Sequence, residues 1–210
     1  MGYFSKIKQE SGIFKRSTEF SKNSFLEGYW GNENYFKDIR DVLLSDLQIK
    51  SNYESRLFHL LRNEISQPGS VSIHIRRGDY LENKNQAIFL NLDLSYYVQA
   101  IELIKMKVLT PKFFIFSDDI NWAKENLPVS SINVVYINEA KSLKDFEELM
   151  LMSYCSHNII ANSTFSWWAA WLNRNNDKIV IQPQKWYKAK AFQDAYELNQ
   201  ALYSEKFIRI

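Results

Sequence analysis

Five short runs of almost wholly apolar residues punctuate the last two-thirds of the chain, and they restrict its fold more than any other feature. Val71–Ile75 (VSIHI), Phe113–Ser117 (FFIFS), Val134–Ile137 (VVYI), Asn158–Ala161 (NIIA) and Ile179–Gln182 (IVIQ) are too short for helices and rich in β-branched or aromatic residues. A strand with one wet face alternates in polarity, whereas runs this apolar require cover on both faces. Helical patterns fill the intervals. Over Asp93–Val108, Leu94, Tyr97, Ile101, Ile104 and Val108 recur at three- and four-residue steps. Ser142 with Asp145 resembles a capping box opening a helix over Leu143–Cys155, with Phe146, Leu149, Met150 and Ser153 on one face. Asn121–Leu127 is a shorter helix stopped by Pro128. Strand alternating with helix predicts a parallel sheet clad on both sides, a Rossmann-like α/β domain over residues 70–190.

Residues 1–69 follow another pattern, a helical lead-in. Tyr35–Ile49 places Phe36, Ile39, Leu43 and Leu47 on one stripe, Tyr53–Ile65 is a second amphipathic helix, and Gln67-Pro68-Gly69 closes it. No strand is expected before Val71, and residues 191–210 are expected to form a C-terminal helix and tail. Met1–Phe20 has no continuous apolar stretch of the secretory kind. Nowhere do about 18 apolar residues run together, as a bilayer span requires. With 26 Lys+Arg against 24 Asp+Glu, the chain has no basic excess, which argues against general nucleic-acid binding. A lone cysteine, Cys155, excludes an internal disulfide and points to a reducing, cytoplasmic setting. Aromatic residues at 15% imply a large core, a ring-binding surface, or both.

The chemistry gathers where strands end, because ligands of open α/β sheets bind outside the carboxyl ends of the strands. Val71–Tyr80 reads VSIHIRRGDY, so Arg76 and Arg77 follow a buried strand directly. Guanidinium forks match phosphate oxygens in pairs, and Gly78 permits a sharp turn or close backbone approach. A surface arginine pair in a turn is the competing reading. Within the same strand, His74 is by default a hydrogen-bonded core residue, with a ligand contact as the alternative. Ser117-Asp118-Asp119 closes the next strand; such carboxylates can bind a metal, accept from a purine or ribose, or cap a helix. Asn158–Leu172 (NIIANSTFSWWAAWL) ends a third strand, and Asn162, Ser163 and Thr164 start a helix whose free N–H groups face the same crevice. Trp167, Trp168 and Trp171 within that helix are expected in the core, with a sugar platform as the alternative for one of them. His59 and His157 have no metal-ligand spacing, and Cys155 is expected to be inert packing.

Taken together, HIRRGDY at His74–Tyr80, FFIFSDDINW at Phe113–Trp122, NIIANSTFSWWAAWLN at Asn158–Asn173 and VIQPQKW at Val180–Trp186 resemble the bacterial α-1,2-fucosyltransferases, which use GDP-fucose. The resemblance covers Phe25 to Trp186 and implies a GT-B-type glycosyltransferase with a Rossmann-like donor-binding domain and a truncated helical N-terminal region. It implies that Arg76 and Arg77 contact the diphosphate, that Asp118 or Asp119 recognises guanine, and that Asn162, Ser163, Thr164, Phe165 and Ser166 line the nucleotide. The group is metal-independent and inverting, so no metal or other cofactor is expected. The glycine-rich GGLGNQMFQYA-type segment that opens such proteins has no counterpart, so much of the acceptor-side half is expected to be missing.

The reaction implied is transfer of L-fucose from GDP-β-L-fucose to the 2-hydroxyl of a terminal β-galactoside on a glycan. Arg76 would stabilise the charge growing on the leaving diphosphate. Asp79 is considered as catalytic base, with a salt bridge to Arg76 or Arg77 as the equal alternative. Another acceptor, such as a protein, or a non-catalytic GDP-sugar-binding role are the rival functions, and Arg77-Gly78-Asp79 as an adhesion tripeptide is disfavoured by its strand-end setting. The lysines of Lys178–Lys190, interleaved with Trp186 and Tyr187, mark a solvated face or a peripheral contact with anionic lipid.

Overall fold

The computed structural model describes residues 5–8, 23–28, 30–129, 133–137, 142–188, 199–200, 202, 204 and 206–210. Two strands, β1 (Ser5–Lys8) and β2 (Ser24–Glu27), pair in parallel, correcting the expectation that no strand precedes Val71. Each has only four residues, too few for periodicity to register. The helix expected over Tyr35–Ile49 is also shorter. Two 3-10 turns, Glu33–Tyr35 and Lys37–Ile39, precede α1 (Arg40–Asp46). Its stripe differs too: Leu44 is buried, while Ile39 and Leu47 are exposed. The second lead-in helix is α2 (Arg56–Ile65), capped by Ser55, whose Oγ accepts the Phe58 N–H at 3.1 Å.

From there the alternation follows the sequence pattern. β3 (Ser70–Ile75) leads through the short α3 (Asn83–Gln86) to α4 (Leu94–Lys107), then β4 (Lys112–Ser117), α5 (Ile120–Asn126) and β5 (Val134–Tyr136). α6 (Asp145–Tyr154), β6 (His157–Ile159), α7 (Thr164–Leu172), β7 (Val180–Gln182) and β8 (Ile208–Arg209) follow. All five pairings of the six-stranded sheet are parallel, in the order β5-β4-β3-β6-β7-β8. Counted from β3 this is 3-2-1-4-5-6, the Rossmann order. The winding reverses between β3 and β6, and the crevice of such a sheet opens at their carboxyl ends. The last strand, β8, belongs to the residues expected to form a C-terminal tail; the helix expected there falls mostly outside the described residues.

The two faces of the sheet explain why its strands look apolar throughout. On β4, Phe113 and Ile115 join a core with Val71, Ile73, Ile75 and the α4 residues Tyr97, Ile101 and Ile104. Phe114 and Phe116 join the opposite core, beneath α6 and α7, which also takes Leu44 of α1 and Phe58 and Ile65 of α2. That second face carries a buried polar seam: Asn158 Nδ2 donates to Ser72 Oγ and Asn173 Nδ2 to Asn158 Oδ1, each at 2.8 Å. The start of α6 departs from the expected Ser142–Asp145 box. Its N-cap is Lys144, and the Glu147 carboxylate accepts the Lys144 N–H at 3.0 Å and the Ser55 N–H at 2.7 Å. Glu147 is therefore buried and Phe146 exposed, whereas Met150 and Ser153 of the predicted face are buried as expected. Two backbone donors reward burying the carboxylate, and the apolar ring is left outside.

Candidate active site

Where β3 ends, the chain turns through Arg76, Arg77 and Gly78 within reach of the carboxylates that follow β4. A Cβ on Gly78 would stand 3.0 Å from Asp118 Oδ2, so only glycine lets the turn close on that carboxylate. Asp118 Oδ1 accepts the Arg77 N–H at 2.9 Å, and Asp118 Oδ2 lies 3.3 Å from Arg76 Nη1. Arg76 Nε lies 2.9 Å from Asp79 Oδ1. Burial opposes the charge on Arg76, but Asp79 and Asp118 outweigh it and hold its pKa above the ordinary value.

The two arginines part company. Arg76 faces a crevice of about 1100 Å³ at the carboxyl ends of the strands. Arg77 does not border it: its guanidinium stacks 4.1 Å above the Trp122 ring and pairs with Asp119 at 3.4 Å. Asp119 also caps α5, accepting the Trp122 N–H at 3.1 Å. The acidic pair is thus used locally, Asp119 as a cap and Asp118 as the brace of the arginine turn, although both border the crevice. The Arg77-Gly78-Asp79 tripeptide is folded into these contacts rather than displayed.

α7 supplies the opposite rim. Ser163 is its N-cap residue, and the first intrahelical bond runs from the Trp167 N–H to the Ser163 carbonyl at 3.0 Å. The N–H groups of Thr164, Phe165 and Ser166 precede it and have no helical acceptor, so a positive field develops there. Ser163, Thr164 and Phe165 border the crevice; Ser166 is buried beneath them and donates to the Ser163 carbonyl at 3.3 Å. Asn162 acts as scaffold, its Nδ2 donating to the carbonyls of Leu90 at 2.7 Å and Trp186 at 2.9 Å. Trp167 and Trp171 are in the core, and Phe36 packs among all three tryptophans of the helix.

His74 projects from β3 beside Phe165, the ring centroids 5.7 Å apart. It is buried and its Nδ1 has no hydrogen-bond partner, yet the residue borders the crevice. Burial, and then the charge of Arg76, push its pKa down to about 3, so the imidazole is neutral at physiological pH. Sequence reasoning missed two further parts of the wall. Trp186 and Tyr187 follow β7, with Phe89 bridged to Tyr187, and form one lobe of the lining; Asn121, Lys124, Asp145 and Glu148 follow β4 and β5, across the switch point, and form the other. The strand-end rule applied to β7 reaches Trp186 and Tyr187; Phe89 has no local signal. Elsewhere, His59 pairs with Glu54 at 3.2 Å and Cys155 is a buried free thiol whose pKa burial raises. Among the described residues, no group of three or more His, Cys, Asp or Glu side chains gathers to hold a metal, and no helix is long and apolar enough to cross a membrane.

The sequence model described as Glycosyl transferase family 11 matches residues 4–208 of this chain. The chain belongs to that family. It is 35% identical over 184 residues to the O-antigen biosynthesis glycosyltransferase WbnK of Escherichia coli, a match covering 83% of this chain and 61% of the relative. It is equally 35% identical to an Escherichia coli alpha-1,2-colitosyltransferase, covering 86% of this chain and 60% of that one. A galactoside alpha-(1,2)-fucosyltransferase 1 of Leontopithecus chrysomelas is 25% identical over 154 residues, 70% of this chain and 42% of the relative. The chain thus spans about three-fifths of the length of its two bacterial relatives. No solved structure matches it. The likeness carried by the four motifs is therefore a family relationship, and the α/β fold with its parallel sheet fits it.

Proposed function

We propose that the crevice binds GDP-β-L-fucose and that the chain serves transfer of L-fucose to the 2-hydroxyl of a terminal β-galactoside, with inversion. The observation that supports this most is the meeting of Arg76 and the α7 N-terminus where the sheet reverses its winding. A diphosphate there receives a fixed guanidinium on one side and unpaired backbone N–H groups on the other. The fucose–phosphate bond lengthens towards an oxocarbenium-like sugar, and the electron pair goes to the phosphate oxygen. Positive charge already aimed at that oxygen favours the transition state over the bound donor. In this reading the positive charge comes from Arg76 and α7, with no metal assigned a role.

The remaining roles follow from the contacts. Asp118 and Asp79 hold Arg76 in place, Asp119 with Trp122 holds Arg77, and neutral His74 forms the floor. Guanine, whose edge offers adjacent N–H donors, is assigned to the lobe with Asp145 and Glu148. The galactoside approaches from the open side of the crevice, its 2-oxygen bonds to the fucose C1 opposite the leaving diphosphate, and its hydroxyl proton passes to solvent or to a base on that side. Peripheral lipid contact through Lys178–Lys190 is the weaker part of the proposal, because half-buried Lys178 donates to the Asn173 carbonyl at 2.8 Å.

Calorimetry with GDP and GDP-fucose, followed by a transfer assay with β-galactosides beside folded peptide domains, tests the reading. Binding of both nucleotides with transfer to the galactoside is expected; absence of GDP binding rejects it. Because the chain spans about three-fifths of its bacterial relatives, a second reading is a donor-binding unit without transfer of its own. Nucleotide binding without transfer or donor hydrolysis selects that one.

A further inference from the structure

The lobe opposite Asp145 and Glu148 is built of aromatic rings, and nothing in the diphosphate chemistry accounts for it. Tyr80 and Phe89 stack with centroids 4.4 Å apart and planes 7° apart, and Tyr187 lies 5.5 Å from Phe89 at 37°. The wall is braced from several directions. The Tyr80 hydroxyl donates to the Asn162 carbonyl at 2.8 Å, and Phe89 and Tyr187 form an antiparallel bridge. The Lys188 N–H donates to the Ile88 carbonyl, and the Leu90 N–H to the Trp186 carbonyl, each at 3.0 Å. Asn199 Oδ1 accepts from the Trp186 and Tyr187 N–H groups at 2.7 and 3.0 Å. Phe89 and Tyr187 nevertheless stay partly exposed, on the crevice side of a rigid scaffold.

We propose that Phe89 and Tyr187 form the subsite for the methyl-bearing face of the transferred 6-deoxy sugar, a reading that rests on the crevice holding GDP-fucose. L-Fucose carries a methyl group on C5 where L-galactose carries a hydroxymethyl. An aromatic wall shelters that methyl from water and packs against the ring C–H groups beside it. The other lobe sets Ile120 and Leu143 among Asp118, Asp119, Lys124, Asp145 and Glu148 and has no aromatic ring for the methyl and its neighbouring C–H groups to pack against. With the diphosphate held between the two lobes, the nucleoside and the sugar are sorted by polarity, guanine to the acids and deoxy sugar to the rings. Replacing the methyl by a hydroxymethyl then buries a polar group against rings that cannot bond it.

Two measurements test this. In ligand-observed saturation-transfer NMR of the wild-type chain with GDP-fucose, the fucose methyl is expected to be the most strongly saturated group of the sugar. In calorimetry the wild type is expected to prefer GDP-fucose to GDP-L-galactose by about fivefold or more, the low end of what burying an unpartnered hydroxyl costs. Phe89→Ala and Tyr187→Ala should abolish that preference while GDP itself binds within about twofold of wild type, and Tyr187→Phe should retain it, because the hydroxyl is not what the methyl needs. Should Phe89→Ala fail to fold, Tyr187→Ala and the wild-type NMR decide. A methyl saturated less than the ribose protons, or variants that keep the preference, overturns the subsite while leaving GDP binding intact. Failure of the wild type to bind GDP at all removes the donor reading, and the subsite falls with it.

Discussion

Adjacent arginines in one motif perform different physical tasks here. Arg76 borders the crevice with its charge secured by Asp79 and Asp118, while Arg77 lies flat on Trp122 with its side chain only 16% exposed. On the proposed function, Arg76→Ala is therefore expected to cut GDP-fucose turnover by about 10²–10³. Arg77→Ala should act first on stability, through the lost stack and ion pair, and the two effects separate in paired thermal melts and rate assays. His74 makes a pH prediction. Its folded pKa of about 3 lies below its ordinary 6.5, so the unfolded chain takes up the proton first. Stability then falls as pH drops through that window, by up to about 1.4 kcal/mol per pH unit. Urea unfolding of wild type and His74→Phe at pH 7 and pH 5 should show the wild type losing more. Equal losses would mean that the imidazole is protonated in the folded protein. The residue types of this motif, and Arg76 as the first choice, were legible in the chain; that Arg77 turns from the crevice depends on Trp122 and Asp119, forty-odd residues away, and was not.

At the level of elements, the join between α2 and α6 is the contact most exposed to test. Burial alone would raise the Glu147 pKa, yet the hydrogen bonds from Lys144 and Ser55 hold it below the ordinary carboxylate value. Glu147→Ala removes the acceptor of two backbone donors, and each buried orphan costs about 1–3 kcal/mol. A loss of about 2–4 kcal/mol in urea unfolding is expected, with Glu147→Gln milder because its amide oxygen still accepts. A change below about 0.5 kcal/mol would place the carboxylate in solvent. Periodicity located α6 closely and put Met150 and Ser153 on its buried face, but it placed Phe146 with them and gave no sign of Glu147. Hydrophobic ranking cannot see that the N-terminus of a helix nearby in space needs an acceptor. Strands β3, β4 and β7 were plain because both of their faces are dry, whereas β1 and β2 were invisible because theirs are short and largely wet.

For the molecule as a whole, the expected division at residue 70 meets a shared core. Leu44, Phe58 and Ile65 of α1 and α2 lie in the same apolar cluster as Phe114, Phe116 and Trp171. A fragment of residues 70–210 should therefore expose that face of the sheet and lack a cooperative unfolding transition. A sharp transition for the fragment, seen by circular dichroism, would show that the lead-in is a separate unit.

The order of apolar runs and helices determined, by itself, that the chain builds a parallel α/β sheet, and strand-end logic put Arg76 and the start of α7 on one edge. Those are local properties, because burial on two faces and a helix start are written in neighbouring residues. Only the tertiary structure decided that Arg77 turns away, that Asp118 braces the arginine turn while Asp119 caps α5, and that Phe89 meets Tyr187. Each of those depends on contacts between residues far apart in the chain, fixed by the order in which the strands lie rather than the order in which they are written.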